Sequence, residues 1–261
     1  MTTSSQPIAV ITGGARGIGR QLATDLLARG YRVVIGDLDQ AATDATAAEL
    51  GAGASAVRLD VTDRKNLAAV VAHVEATVGP IALWINNAGI MPTGPFRDQK
   101  MDVARAIIDI NYAGVVEGTA AVLPGMLERH AGTIVNLASA TGIKPLAGVA
   151  VYSGTKAAVI AFTQSLRREL RGTGVRLIVV SPNLVRTALG AGITPPRLTG
   201  VITAPMVSAA IMAALDRPRR FSIVVPRRLA PVLRLSNSLP IRLRDWVDDH
   251  AGSDEVGLGG D

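Results

Sequence analysis

Cysteine is absent from the 261 residues, which excludes a disulfide framework, a thiolate metal site and a cysteine nucleophile. Histidine is nearly as scarce: His73, His130 and His250 stand far apart without ligand spacing, so all three read as surface residues and no metal is expected. Aromatic residues amount to 3%, too few to offer the stacking platforms of a nucleic-acid binder. Charge is sparse too, at 18%, which leaves room for 48% hydrophobic residues and a substantial core. The opening MTTSSQP lacks the charged and apolar regions of an export signal, and a cytoplasmic protein is expected. Two stretches without charge, Ala76 to Phe96 and Leu198 to Leu215, have the length of membrane spans. Gly79, Pro80, Asn86, Asn87 and Pro92 in the first, and Gly200 and Pro205 in the second, make them read as buried strand, loop or core helix.

What is present is an alternation. Short apolar runs at Ile8–Ile11, Arg32–Gly36, Ala54–Leu59, Ala82–Ile85, Thr133–Leu137, Val175–Val180 and Ser222–Val225 are separated by helical patterns. Helices are expected up to the C-cap Gly30, near Asp39–Leu50, over Arg64–Val78, near Met101–Arg129, and over Val151–Leu170 and Pro205–Leu215. Strands separated by helices pair in parallel through right-handed crossovers, and runs such as TIVNL and LIVV are apolar throughout, as in strands covered on both faces. The expected fold is α/β, a doubly wound parallel sheet of about seven strands with helices on both faces. Ligands of such sheets bind beyond the carboxyl ends of the strands, where the strand order reverses.

The first strand ends in TGGARGIG, Thr12 to Gly19. Gly13 permits a tight turn, Gly17 lets backbone approach a pyrophosphate, and Gly19 allows close packing as the helix begins with its N–H groups toward the anion. Asp37 closes the second strand 18 residues after Gly19. A carboxylate there accepts hydrogen bonds from both adenosine ribose hydroxyls and opposes a 2′-phosphate, since like charges about 4 Å apart at an effective dielectric near 20 repel by roughly 4 kcal/mol. That favours NAD over NADP. Arg16, a guanidinium in the same turn, is the counterweight. Further along, VYSGTKAAV places Tyr152 and Lys156 four residues apart, on one helix face.

TGGARGIG, LDVT (Leu59 to Thr62), NNAG (Asn86 to Gly89), Asn111, Ser139 in NLASATG, YSGTK and the proline turn SPNLVRT follow one another along residues 8 to about 225. Together they resemble the short-chain dehydrogenase/reductase family in its Rossmann-like form of roughly 250 residues. The resemblance implies an NAD-dependent oxidoreductase interconverting a secondary alcohol and a ketone. Tyr152 is then the general acid/base, and Lys156 favours its phenolate, a free phenol having a pKa near 10. Lys156 also holds the nicotinamide ribose, Ser139 donates to the substrate oxygen, and Asn111 holds a water that relays protons. Gly13, Arg16, Gly17, Ile18 and Gly19 meet the pyrophosphate, Asp37 the ribose, and Asp60 and Val61 the adenine. Asn87, Ala88 and Gly89 shape the cofactor pocket, and Pro182, Val185 and Thr187 meet the nicotinamide. The family's subunits pair through the long helix and the Tyr-bearing helix, so a homodimer or homotetramer is expected, with Ala113, Gly114 and Gly118 as the small residues that permit close packing. Two other readings stand beside this one: an NADPH-dependent ketone reductase, and a catalytically silent cofactor-sensing protein of the same fold.

The chain departs from the family in two places. Asn183 follows Pro182 where the family has glycine, a substitution that asparagine's tolerance of positive φ makes compatible with the turn. The family's usual ending is replaced by RFSIVVPRRL. Eight arginines fall between Arg217 and Arg244 with no acidic residue among them, and without them the net charge of +6 becomes −2. Residues 1–226 are therefore expected to form one dinucleotide-binding and catalytic domain, and 227–261 a basic amphipathic extension packed on it. Pro231 and Pro240 suit first helical positions of two short helices, the second with Leu243, Trp246, Val247 and His250 on one face. Such a tail either closes the domain or a subunit contact with its apolar face while the arginines stay solvated, lids a greasy pocket, or touches an anionic membrane surface. The apolar segments GIMPTGPF (Gly89 to Phe96) and ALGAGITPP (Ala188 to Pro196) point to a lipophilic substrate.

Overall fold

A computed structural model describes residues 6–190 and 200–250. Seven strands, β1 (Ile8–Thr12), β2 (Arg32–Asp37), β3 (Ala54–Arg58), β4 (Ile81–Asn86), β5 (Gly132–Leu137), β6 (Val175–Pro182) and β7 (Ser222–Val225), form one parallel sheet in the order β3-β2-β1-β4-β5-β6-β7. The order reverses between β1 and β4. Among the described residues nine α-helices accompany them: α1 (Gly17–Ala28), α2 (Gln40–Leu50), α3 (Arg64–Thr77), α4 (Met101–Ile108), α5 (Gly114–Glu128), α6 (Ala150–Glu169), α7 (Ala204–Leu215), α8 (Leu229–Ser238) and α9 (Ile241–His250). The Rossmann-like α/β architecture is the expected one.

The described chain gathers into two compact units, the first made of residues up to 88, 113–136 and 163–178, the second of 89–112, 137–162 and 179 onward. In the first, β1 is buried along its whole length and β2 at Val33, Val34, Ile35 and Gly36, while α1 buries Leu22, Ala23 and Leu26 and α3 buries Leu67, Val70, Val71 and Val74. Those spacings of three and four residues make the apolar stripe by which a helix docks on a sheet. Within this core lies a polar chain: Trp84 Nε1 donates to Asn86 Oδ1 at 2.7 Å, Asn86 Nδ2 to Asn136 Oδ1 at 2.8 Å, and Asn136 Nδ2 to Thr163 Oγ1 at 2.9 Å. Buried polar groups are tolerated only when paired in this way.

That chain bears on the expected subunit contact. A Cβ on Gly118 would lie 2.6 Å from Asn86 Oδ1, and one on Gly114 would lie 2.9 Å from Val61 Cγ2. Both glycines are consumed by close packing inside the chain, so they cannot be the small residues of a subunit interface.

In the second unit, Tyr152 packs with Ile107 and Val149, and around them stand Ile90, Met91, Val103 and Leu146. The tail contributes to this unit as well. RFSIVVPRRL supplies β7, which pairs in register with β6 from Val179↔Ser222 to Pro182↔Val225, and α8 sets Leu229 and Leu233 against Val224 and Ala140.

Three local expectations need correction. The long helix is interrupted: five residues, Asp109–Ala113, form a π-helical turn between α4 and α5, because the apolar period alone does not register one extra residue in a turn. Asn183 takes no positive φ, His130 being the non-glycine residue that does so among the described residues. Asn183 instead donates from its backbone to Val225 O at 2.8 Å and from Nδ2 to Gly200 O at 2.9 Å. Pro231 is the third residue of α8 rather than its first, and Pro240 immediately precedes α9. The helical run Met101–Glu128 is long and apolar enough by composition to cross a membrane, yet Ala104, Ile107, Val115, Val122 and Met126 along it are buried in protein. The segment ALGAGITPP falls outside the described residues after Gly190.

Candidate active site

The Gly-rich turn sits where β1 hands over to α1, at the reversal of strand order. Gly13 has φ +63° and Gly17 φ +54°, a region that residues bearing a Cβ adopt rarely. A Cβ on Gly13 would lie 2.8 Å from Ala88 Cα, and one on Gly19 would lie 2.3 Å from Gly13 O. Thr12 and Asn87 lock this turn to the end of β4. Thr12 Oγ1 accepts from Asn87 N at 3.0 Å and Ala88 N at 3.1 Å, while Asn87 Nδ2 donates to Thr12 O at 3.0 Å and Gly13 O at 2.8 Å. Arg16, at the N-cap of α1, makes no side-chain cap, and no acid stands in the first turn. The N–H groups at the head of α1, from Gly17, Ile18 and Gly19, therefore suit an anion.

Asp37 ends β2 half-buried, with Oδ2 accepting from Ala15 N at 3.2 Å and Oδ1 from Asp39 N at 3.3 Å. It does not cap α2; Asp39 does, accepting from Ala42 N at 3.1 Å. Asp39 also forms an ion pair with Arg16 through its other oxygen. The guanidinium that was the counterweight to Asp37 is thus already engaged by a carboxylate, a partnership that needs the bend between β2 and α2 and is invisible in the linear spacing. Asp60 accepts from Thr62 N at 2.9 Å and Thr62 Oγ1 at 2.6 Å, and these two bonds hold its carboxyl below the usual carboxylate range. Its neighbour Val61 is buried against Gly114. The fit of this unit to a dinucleotide rests on the cradle that a Cβ would fill and on an uncapped helix head.

The second unit holds Asn111, Ser139, Tyr152 and Lys156. Tyr152 and Lys156 lie on α6, buried to 6% and 4% exposure, with Lys156 Nζ 5.6 Å from the centre of the Tyr152 ring. Nζ donates to Leu137 O at 2.9 Å, and burial pulls the ammonium down to about 8. Burial pushes the Tyr152 phenol up to about 12, while its hydrogen bond with the Ser139 side chain pulls it the other way. The Lys156 ammonium, above the ring, carries the sign of charge that favours a phenolate. At the phenol oxygen the Ser139 hydroxyl opposes desolvation.

Ser139 ends the loop after β5, where its Oγ accepts from Thr141 N at 3.2 Å and Thr141 Oγ1 at 3.0 Å. What brings this loop so near α6 is Gly142, whose absent Cβ would fall 2.6 Å from Lys156 C and 2.7 Å from Lys156 O. The motif reading had no place for Thr141 or Gly142; the glycine that ends ASATG was the available signal. Asn111, fully buried in the π-helical turn, engages both ends of its amide with Ile90: Oδ1 accepts from Ile90 N at 2.8 Å and Nδ2 donates to Ile90 O at 2.8 Å. A Cβ on Gly89 would approach Asn111 Oδ1 to 3.1 Å and Lys156 Nζ to 3.7 Å, so Gly89, Asn111 and Lys156 converge. Pro182 and Val185 are buried, and Thr187 is half-buried with its hydroxyl 3.5 Å from Val185 O. His73 and His130 are exposed, and among the described residues no cluster fit to hold a metal occurs.

Residues 7–197 match the sequence pattern of the short chain dehydrogenase family. A ketoacyl reductase of Nostoc sp., HetN, is 35% identical over 221 residues, covering 82% of this chain and 77% of its own. An uncharacterized oxidoreductase of Staphylococcus aureus is 32% identical over 224 residues, 85% of this chain and 96% of its own. Among solved structures, a short chain dehydrogenase/reductase from Burkholderia phymatum in complex with NAD superposes with a TM-score of 0.82 at 26% identity, covering 91% of this chain and 95% of that one. Serine dehydrogenase from Escherichia coli does so with a TM-score of 0.73 at 30% identity, covering 83% and 95%.

Proposed function

The chain belongs to the short-chain dehydrogenase family of oxidoreductases, and from that premise we propose that it moves a hydride between NAD(H) and a lipophilic secondary alcohol or ketone. The observation that carries this reading is the buried convergence of Ser139, Tyr152 and Lys156. A nicotinamide, when bound, accepts or supplies the hydride. Everything else is the chain's own work. Tyr152 exchanges the proton with the substrate oxygen, Ser139 donates to the charge developing there, and the Lys156 charge keeps the phenolate accessible near neutral pH. Asn111 fixes Ile90 and the neighbourhood of Lys156, where relaying water enters.

The first unit supplies nucleotide binding. Gly13, Gly17, Ile18 and Gly19 hold the pyrophosphate, Asp37 the ribose hydroxyls, Asp60 and Val61 the adenine, and Asn87 and Ala88 with Gly89 the wall beyond, while Arg16 lines the same turn in its ion pair with Asp39. Pro182, Val185 and Thr187 meet the carboxamide end. The preference for NAD is supported by Asp37 at the strand end and by Asp39, which occupies the Arg16 guanidinium. The Burkholderia relative was solved with NAD. The apolar surround of Tyr152, built from Ile90, Met91, Val103, Leu146 and Val149, supports a lipophilic substrate. An NADPH-dependent reductase remains the second reading, favoured by the presence of Arg16 in the turn. A thermal-shift titration with NAD, NADH, NADP and NADPH separates the two, because a ligand selective for the folded chain raises its melting temperature. Stabilisation by NAD(H) alone is the expected result, and selective stabilisation by NADP(H) overturns the preference.

A further inference from the structure

Eleven large hydrophobic residues are exposed among the described ones, and ten of them belong to the second unit. Five of the ten, Val232, Leu235, Ile241, Leu243 and Trp246, fall within α8 and α9. The concentration has a structural basis. Helix α8 is apolar on two faces: Leu229 and Leu233 are spent on Val224 and Ala140, while Arg228, Val232 and Leu235, at the i, i+4 and i+7 spacing, face outward together. Along α9, Ile241, Arg242, Leu243 and Trp246 are all exposed. Arg227, Arg228 and Arg242 are exposed beside these side chains, within the acid-free stretch of eight arginines that ends at Arg244; the exposed Asp245 and then Asp248 and Asp249 follow it in α9.

We propose that the outer face of α8 and the start of α9, up to Arg244, docks this protein on an anionic lipid surface. Apolar side chains, a tryptophan and arginines on short amphipathic helices are the composition of an interfacial anchor, with the apolar groups entering the acyl boundary while the guanidinium groups meet phosphates. A second copy of the chain is a poorer occupant. A two-fold contact that sets the acid-free stretch against itself opposes arginines with arginines. Nucleic acid is poorer still, since the stretch from Arg217 to Trp246 holds two aromatic residues, Phe221 and Trp246, too few to stack successive bases. The proposal does not rest on the hydride-transfer reading, and the inward half of α8 remains anchored whichever surface the outward half meets.

The intact chain carries its own reporter. It has two tryptophans, of which Trp84 is fully buried and Trp246 is 57% exposed. Tryptophan emission and co-sedimentation are measured with vesicles of phosphatidylcholine, with and without phosphatidylglycerol. Inclusion of the anionic lipid is expected to raise bound protein on the order of tenfold and shift emission to the blue, with both effects reversed by salt. The triple variant Val232→Ser, Leu235→Ser, Leu243→Ser should lose that binding while keeping the wild-type melting temperature, because none of the three is part of a buried cluster. Arg227→Gln with Arg228→Gln should weaken binding without touching packing, so the test survives failure of the triple variant to fold. No binding to anionic vesicles, equal binding to neutral ones, or self-association without lipid that the triple variant abolishes would each overturn the proposal.

Discussion

At the scale of single residues, the Tyr152–Lys156 pair was legible because a helix puts i and i+4 side chains on one face. What the linear sequence could not convey is the price of burying them. Replacing Tyr152 by Phe removes the exchangeable proton and keeps the packing, so turnover should fall by orders of magnitude while the NAD-induced rise in melting temperature stays; comparable turnover would refute the assignment. Lys156 supplies a test of the electrostatics. Its folded value of about 8 lies below the 10.5 of the exposed side chain, so the unfolded chain binds more protons between those values. The neutral amine's contribution to stability is thus present above 10.5 and lost as pH falls through 8. Wild type should gain stability relative to Lys156→Met as pH rises across that window, by about 3 kcal/mol at most. Chemical denaturation of both proteins at pH 7 and pH 10 measures it, and a constant difference would sink the account. Asp39 belongs at this scale as well, since its double partnership could not be seen without the bend that follows β2. Asp39→Ser should free Arg16 and raise affinity for NADP while leaving NAD binding nearly unchanged; an unaltered preference in the titration would mean that Asp37 alone decides.

At the scale of elements, the strands were legible because buried parallel strands are apolar on both faces, and their ends were placed within a residue or two. The π-helical turn was not, since one additional residue in a turn leaves the apolar period almost untouched. Asn111 was recognised there by motif, but its bonding to Ile90 could only come from the structure. The loop after β5 shows the same limit. Ser139 is a recognisable residue, yet what positions it is a glycine three residues later lying on the backbone of Lys156. Gly142→Ala must push the loop and α6 apart by several tenths of an ångström. Misplacements of that kind cost far more in rate than in stability. The variant is expected to lose at least about tenfold in kcat with a melting temperature within a few degrees of wild type, and the kinetics of hydride transfer beside a thermal melt decide between that and a merely structural glycine.

At the scale of the whole molecule, the composition that excludes disulfides also predicted the large core, but it was silent on how the atypical ending is used. RFSIVVPRRL has no family motif, yet it forms β7, because a β-branched run flanked by charge is a strand wherever an open edge accepts it. Helix α8 then lays Leu229 and Leu233 over Val224 and Ala140, with Ile143 and Ala230 filling in beside them. Ala140 directly follows Ser139, so the extension braces the loop that carries a proposed catalytic hydroxyl. Leu233→Ala should therefore act twice: about 2–4 kcal/mol lost from stability through the cavity it leaves, and a lower kcat as the Ser139 loop loosens. Val232→Ala, one residue away on the exposed side, should change stability by less than about 0.5 kcal/mol and turnover not at all. If Leu233→Ala destabilised the chain while kcat at a temperature well below its melting point stayed at the wild-type value, α8 would be a stabilising cap and nothing more. A fall in both is what a C-terminal helix coupled to the active-site loop requires.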